Sequence, residues 1–191
     1  MPRPPASRPL AIVTGASSGI GFELARLAAA DGHDLIVVAN EERLHAAARD
    51  LRAHGGGEVI AVVTDLATLE GVDAVLDAAE GRPVTLACIN AGEGLGGAFL
   101  QLDAGAWRRV IDTNITGTLY LMQRTLRAMV MRGHGRVLVT GSIAGYIPGP
   151  FNAVYNASKA FIDNFTEALR NELHDHSGVT LTTLLPGATD T

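Results

Sequence analysis

The chain has 191 residues, 47% of them hydrophobic, with a formal net charge of −5 and no basic run. The length suits one domain with a substantial core, and the charge argues against nucleic acid or an anionic membrane as the main partner. The single cysteine, Cys88, lies in an apolar run as a buried thiol would, and a count of one excludes both a disulfide framework and a cysteine-rich zinc site.

Residues 1–9 form a short Pro-rich arm, expected to be flexible, without the apolar core of a signal peptide. No later run is long enough to span a membrane, so a cytoplasmic protein is expected. From residue 10 the chain alternates. Residues 10–14 (LAIVT) read as a buried strand, followed by a glycine turn and a helix over 20–30. Residues 34–39 form the second strand. Residues 41–54 have helical spacing, with Leu44, Ala47, Ala48 and Leu51 on one side and glycines at the end. Residues 58–63 are the third strand, 69–79 a helix and 84–89 the fourth strand. Residues 103–131 are helical with a bend or break near Asn114. Residues 136–140 are the fifth strand, 152–174 a helix and 179–185 the sixth strand. Short apolar strands alternating with amphipathic helices predict a single α/β domain over 10–191, a doubly wound parallel sheet covered on both faces.

Ligands in such folds bind at the carboxyl ends of the strands. The first strand ends in Thr14-Gly15-Ala16-Ser17-Ser18-Gly19-Ile20-Gly21. Bare glycine backbone there lets the turn and the helix N-terminus approach a pyrophosphate. A tight turn with no ligand has the same glycines, but its place between first strand and helix is the context a dinucleotide site requires. Asn40 ends the second strand, where such sites read the adenine ribose. It is neither the acid of an NAD site nor the arginine of an NADP site. Glu41 and Arg43 beside it pull in opposite directions, so the choice between NAD and NADP stays open.

The stretch from Thr140 to Lys159 carries the reactive groups. Ser142 follows the fifth strand, and Tyr155 and Lys159 share one helical face at i and i+4. A cation beside a phenol favours the phenolate, and a phenol so tuned can move a proton during turnover. Ser142 is placed to polarise a substrate oxygen. A Tyr–Lys pair at this spacing is common by chance. Yet of 15 basic residues 14 are Arg, and the one Lys is Lys159. Lysine is a compact charge with an adjustable pKa that a guanidinium cannot copy.

At these residues the chain resembles the short-chain dehydrogenases/reductases in their compact single-domain form, over essentially 10–191. Thr14 to Gly21 is similar to that family's TGxxxGIG turn. Asp65, followed by Leu66, matches the acid that contacts the adenine ring. Asn90, Ala91 and Gly92 match its NAG motif, with Ile89 where a first Asn is usual. Asn114 matches the catalytic helix Asn. Ser142, Tyr155 and Lys159 match its Ser…YxxxK core, and Pro186, Gly187, Thr189 and Thr191 match PGxxxT. The resemblance implies a Rossmann-like fold, NAD or NADP as cofactor, and hydride transfer to or from an alcohol or carbonyl. Tyr155 would be the acid/base, Lys159 would lower its pKa and hold the nicotinamide ribose, Ser142 would hold the substrate oxygen, and Asn114 would position a relay water. Structural roles are open beside these: a helix cap for Asp65, a backbone pin for Asn90, a kink for Asn114. The six histidines lack ligand spacing, and no metal is assigned.

Family members usually continue through a substrate-covering loop and helix to a seventh strand. Here the sequence stops at Thr191, so a fold lacking that lid and last strand is expected, and a nucleotide-binding protein without turnover, or an inactive truncated fragment on the same fold, is the alternative. The substrate pocket is expected to come from residues 93–100 and 143–152, which contain Leu95, Phe99, Tyr146, Ile147 and Phe151, and this suggests a small apolar or neutral substrate. Ala153, Ala157 and Ala160 form a small-residue stripe that suits either a homodimer or homotetramer contact or packing on the sheet.

Overall fold

In the computed structural model, which describes residues 8–55 and 57–189, the apolar runs pair side by side as strands. They are β1 (Leu10–Thr14), β2 (Asp34–Ala39), β3 (Val59–Val63), β4 (Val84–Ile89), β5 (Gly135–Thr140) and β6 (Val179–Leu184). Every pairing is parallel, in the order β3-β2-β1-β4-β5-β6. Between the strands run α1 (Gly19–Ala30), α2 (Leu44–Gly55), α3 (Leu69–Asp77), α4 (Ala104–Ile111), α5 (Thr118–Arg132) and α6 (Ala153–Glu172). This is the doubly wound, Rossmann-like domain expected. The expectations for residues 1–7 of the arm and for Thr191 fall outside the described residues.

The two-residue period of a strand divides the core into two layers. Leu10 and Ile12 of β1 enter one layer with Val72 and Val75 of α3, Leu121 and Met129 of α5 and Ile162 of α6. Ala11 and Val13 enter the other with Ala25 and Ala29 of α1 and Leu44 and Leu51 of α2. Each fully buried Leu or Ile stabilises by about 1.5–3 kcal/mol. Cys88 belongs to the second layer, and burial pushes its thiol up to about 11, so it packs rather than reacts. Connections run one way from β1 to β3 and the other from β4 to β6. The crevice where they diverge, at the strands' carboxyl ends, is where the fold places a ligand.

One helix differs from the sequence expectation, and the break expected near Asn114 is present. α2 starts at Leu44 rather than at residue 41, because Glu41 is drawn back onto Ser17 and Arg43. The long helix over 103–131 is interrupted by a π-helical turn, Asp112–Gly117. Asn114 lies within it, and Gly117 presses so close to the Leu66 carbonyl that a Cβ would sit 2.0 Å from that oxygen. Ala153 and Ala157 are exposed, so the small-residue stripe does not pack on the sheet.

Asp34 at the start of β2 gives the fold an acid limit. Burial would raise its pKa, but the Glu58 N–H at 2.9 Å and the Arg82 guanidinium outweigh that and hold it below the ordinary 3.8. The folded value therefore lies below the unfolded one. The stabilisation is complete above the unfolded pKa and is lost as pH falls through the folded value. Asp34→Ala should cost about 1–3 kcal/mol in urea unfolding at neutral pH. The deficit should shrink as the pH is taken below that of the unfolded carboxyl.

Candidate active site

The glycine turn is tight because three strands hold it. The Thr14 hydroxyl accepts from the Asn90 and Ala91 N–H groups, both at 2.9 Å. The Asn90 amide donates to the Thr14 carbonyl at 3.2 Å, and its oxygen accepts from the Thr140 hydroxyl at 2.9 Å. Asn90 thus staples β1 to β5 across the end of β4, and the pinning role weighed for it is real. Gly15 sits at φ +67°, in the left-handed region open to glycine. A Cβ on Gly21 would lie 2.1 Å from the Gly15 carbonyl oxygen. Backbone therefore lies against backbone under the N-terminus of α1.

At the end of β2, Asn40 is exposed, and the charge belongs to its neighbours. The Ser17 hydroxyl donates to the Glu41 carboxylate at 2.5 Å, and Arg43 pairs with Glu41 at 2.6 Å while donating to the Ser18 hydroxyl at 3.1 Å. The Ser17 and Arg43 contacts hold the Glu41 carboxyl below its ordinary range. Glu41 therefore points inward, over the glycine turn.

Beyond β3, Asp65 does not cap α3. Thr68 does so, accepting from the Gly71 N–H. Asp65 takes both guanidinium nitrogens of Arg109, at 2.7 and 3.2 Å, and this pair chiefly lowers its pKa. Arg109 also bonds Glu93.

The reactive end lies across β5. Ser142 is buried, and its oxygen accepts from the Ala144 N–H at 3.1 Å, which leaves its own proton free to donate. Lys159 is buried, donates to the Thr140 carbonyl at 2.8 Å and stands 5.9 Å from the centroid of the Tyr155 ring. A Cβ on Gly92 would be 3.4 Å from the Lys159 ammonium and 3.3 Å from the Asn114 amide oxygen, so these three residues converge. The Asn114 amide accepts from the Glu93 N–H at 2.7 Å and donates to the Glu93 carbonyl at 2.9 Å and to the Ser158 hydroxyl at 3.0 Å. The Ile143 N–H donates to the Pro186 carbonyl at 3.2 Å, which ties the Pro186-Gly187 segment to the Ser142 loop.

One group here escaped the sequence reading. Asp163 lies one turn beyond Lys159, is 4% exposed, and neither oxygen has a hydrogen-bond partner among the described residues. Burial raises its pKa, opposed by the nearby Ser142 N–H and the Lys159 charge. Gly141 and Gly145 leave the room it occupies, since a Cβ on either would come within 2.3 Å of the carboxylate.

A cleft of about 750 Å³ joins these parts. It is lined by Gly15, Ser17, Ser18, Gly19, Ile20, Gly21, Asn40, Asp65, Leu66, Asn90, Ala91, Gly92, Ser142, Tyr155, Lys159, Pro186, Gly187 and Thr189. Thr14 and Asn114 stand behind the wall. Glu41, Arg43, Glu93 and Thr113 join the lining. Of the two segments expected to form the substrate pocket, Glu93, Gly94, Ile143, Ala144 and Ile147 line the cleft, while Leu95, Phe99, Tyr146 and Phe151 do not. The 3-10 turn Ile143–Tyr146 directs Ile143 into the cleft, while Tyr146 faces a shallow groove with Ala153 and Ala157. A dinucleotide fits this shape, with bare backbone at the turn, Glu41, Arg43 and Asp65 at one end and Lys159 at the other.

A family model described as short chain dehydrogenase matches residues 9–191. This chain belongs to the short-chain dehydrogenase family. An oxidoreductase of Staphylococcus epidermidis is 33% identical over 185 residues, covering 95% of this chain and 78% of that protein. A short-chain dehydrogenase of Sphingobium yanoikuyae, solved in complex with NADPH, superposes with a TM-score of 0.89 at 34% identity, over 95% of this chain and 72% of the other. A family member from Burkholderia phymatum, solved with NAD, gives a TM-score of 0.88 at 32% identity, over 95% and 66% of the two chains. These short-chain dehydrogenases are NAD(P)-dependent oxidoreductases, and this chain is one of them.

Proposed function

We propose that the protein reduces a carbonyl, or oxidises the corresponding alcohol, with Ser142, Tyr155 and Lys159 at the reacting end of the cleft. The convergence of these residues opposite a glycine cradle carries the reading. When bound, NAD(P) supplies the hydride chemistry. In the reducing direction the Tyr155 hydroxyl gives its proton to the carbonyl oxygen; in oxidation it takes that proton back. Its hydroxyl has no other hydrogen bond among the described residues. Ser142, already an acceptor toward Ala144, donates to the same oxygen. Lys159 uses one N–H on Thr140 and keeps two for ribose hydroxyls in the cleft. Its charge steadies the negative charge that develops on the phenol oxygen. The Asn114 amide nitrogen is spent on Glu93 and Ser158, while its oxygen, which accepts from the Glu93 N–H, keeps one lone pair for a relay water.

The inward Glu41 favours NADH, since a 2′-phosphate would meet its carboxylate before Arg43. Ile143 and Ile147, both exposed, line the cleft and favour an apolar or neutral substrate. Fluorescence titration with NADH and NADPH, followed by a panel of neutral and anionic carbonyls, tests the reading. Saturable binding, tighter for NADH, and turnover of neutral ketones are expected. Glu41→Gln should tighten NADPH about fivefold by removing one charge. A folded sample that binds neither cofactor would falsify the reading, and binding without turnover on any carbonyl would reduce it to a nucleotide-binding protein.

A further inference from the structure

We propose that Arg109, which stands outside the cleft, is a positioning residue that makes the cofactor site selective for adenine; this rests on the cofactor reading above. Asp65 lines the cleft, and its free lone pairs can be counted. Its Oδ1 accepts from the Ala67 N–H at 3.0 Å and from Arg109 at 3.2 Å; its Oδ2 accepts from Arg109 at 2.7 Å. Each carboxylate oxygen takes about two hydrogen bonds. Oδ1 is therefore full, and Oδ2 offers one acceptor in a fixed direction. The 6-amino group of adenine is a donor that can meet it. Hypoxanthine carries an oxygen at that position, which a carboxylate repels.

The clamp has a second anchor. Arg109 Nε and Nη2 lie 3.0 and 2.9 Å from Glu93 Oε1. The Glu93 peptide is gripped on both sides by Asn114, which also bonds Ser158, three residues past Tyr155. One end of the strap is thus fixed to the catalytic helix and the other orients Asp65. Without Arg109, Asp65 keeps only the Ala67 contact and can rotate. A half-exposed ion pair contributes little to stability. Both loops that Arg109 joins line the cleft, however, so the effect falls on ligand choice rather than on folding.

The test is the ratio of dissociation constants for NADH and for the reduced nicotinamide hypoxanthine dinucleotide on the full chain. The parent should prefer the adenine form by about tenfold, the size of one hydrogen bond to a charged group. Arg109→Gln should weaken NADH about tenfold and bring the ratio to about two or less, with thermal unfolding within a few degrees of the parent. Arg109→Lys, a point charge without the fork, should fall between. If Arg109→Gln fails to fold, Glu93→Gln, which loosens the other anchor, must still lower the ratio about threefold. A ratio near one in the parent, or an unchanged ratio in the folded variants, overturns the inference while leaving the cofactor reading intact. A parent that binds neither dinucleotide overturns both.

Discussion

Lys159→Arg is expected to lower kcat by on the order of a hundred- to a thousandfold, almost as much as Lys159→Met and Tyr155→Phe. Charge alone does not suffice at this position. Lys159 is 6% exposed, and its ammonium is fixed by the Thr140 carbonyl at 2.8 Å. Gly92 and Asn114 close the space around it. A guanidinium is broader, planar and unable to lose its proton. It would displace the Thr140 contact or crowd Gly92 and Asn114. Desolvation lowers the Lys159 pKa, and Asp163 one turn away pulls it back up. Lys159 thus sits in a balance that arginine cannot enter. Tyr155→Phe removes the proton donor and nothing else, so NADH affinity should stay within about threefold while turnover collapses. Steady-state kinetics beside cofactor titration separate the variants. Lys159→Arg retaining more than about a tenth of parental kcat would show that the site needs only a cation.

The order of elements was legible because it rests on local pattern. Apolar runs, the glycine turn after β1 and the i, i+4 pair Tyr155–Lys159 are all within a few residues of sequence. What joins distant residues was not legible. Arg109 looks like a polar helix position until Asp65, 44 residues back, is found in its fork. Asn114 was expected from the family pattern, but its grip on the Glu93 peptide needs the π-helical turn and the loop after β4 side by side. Asp163 could be placed one turn from Lys159 by counting. Its burial could not, since that depends on Gly141 and Gly145 lying against α6. Tyr146 and Phe151 missed the cleft because turn geometry, not hydrophobicity, decides which way a loop residue faces. Glu41 and Arg43 pull in opposite directions on a 2′-phosphate, and only the bond of Glu41 to Ser17 fixes which way the carboxylate points.

Gly21→Ala should weaken NADH binding by on the order of a hundredfold and cost about 1–3 kcal/mol in stability. The added methyl would sit 2.1 Å from the Gly15 oxygen and 2.6 Å from both the Gly15 carbonyl carbon and the Asn90 amide nitrogen. Two of those three atoms are backbone, and none can retreat easily. Gly15 is held at φ +67° in a turn whose Ala16 N–H is bound to the Val38 carbonyl at 3.1 Å. Asn90 is held by Thr14 and Thr140. The turn must therefore lift away from α1, moving the amides proposed to seat the pyrophosphate. Gly133→Ala is the matched control. Gly133 lies at φ +77° at the end of α5 with nothing within 4 Å of a Cβ, so strain alone should cost about 1 kcal/mol there. Its NADH affinity should equal that of the parent. Denaturant unfolding and NADH titration on both variants separate lost stability from a lost site. If Gly21→Ala folds and binds NADH within about threefold of the parent, the close approach of Gly15 and Gly21 serves packing of α1, and the pyrophosphate is seated elsewhere.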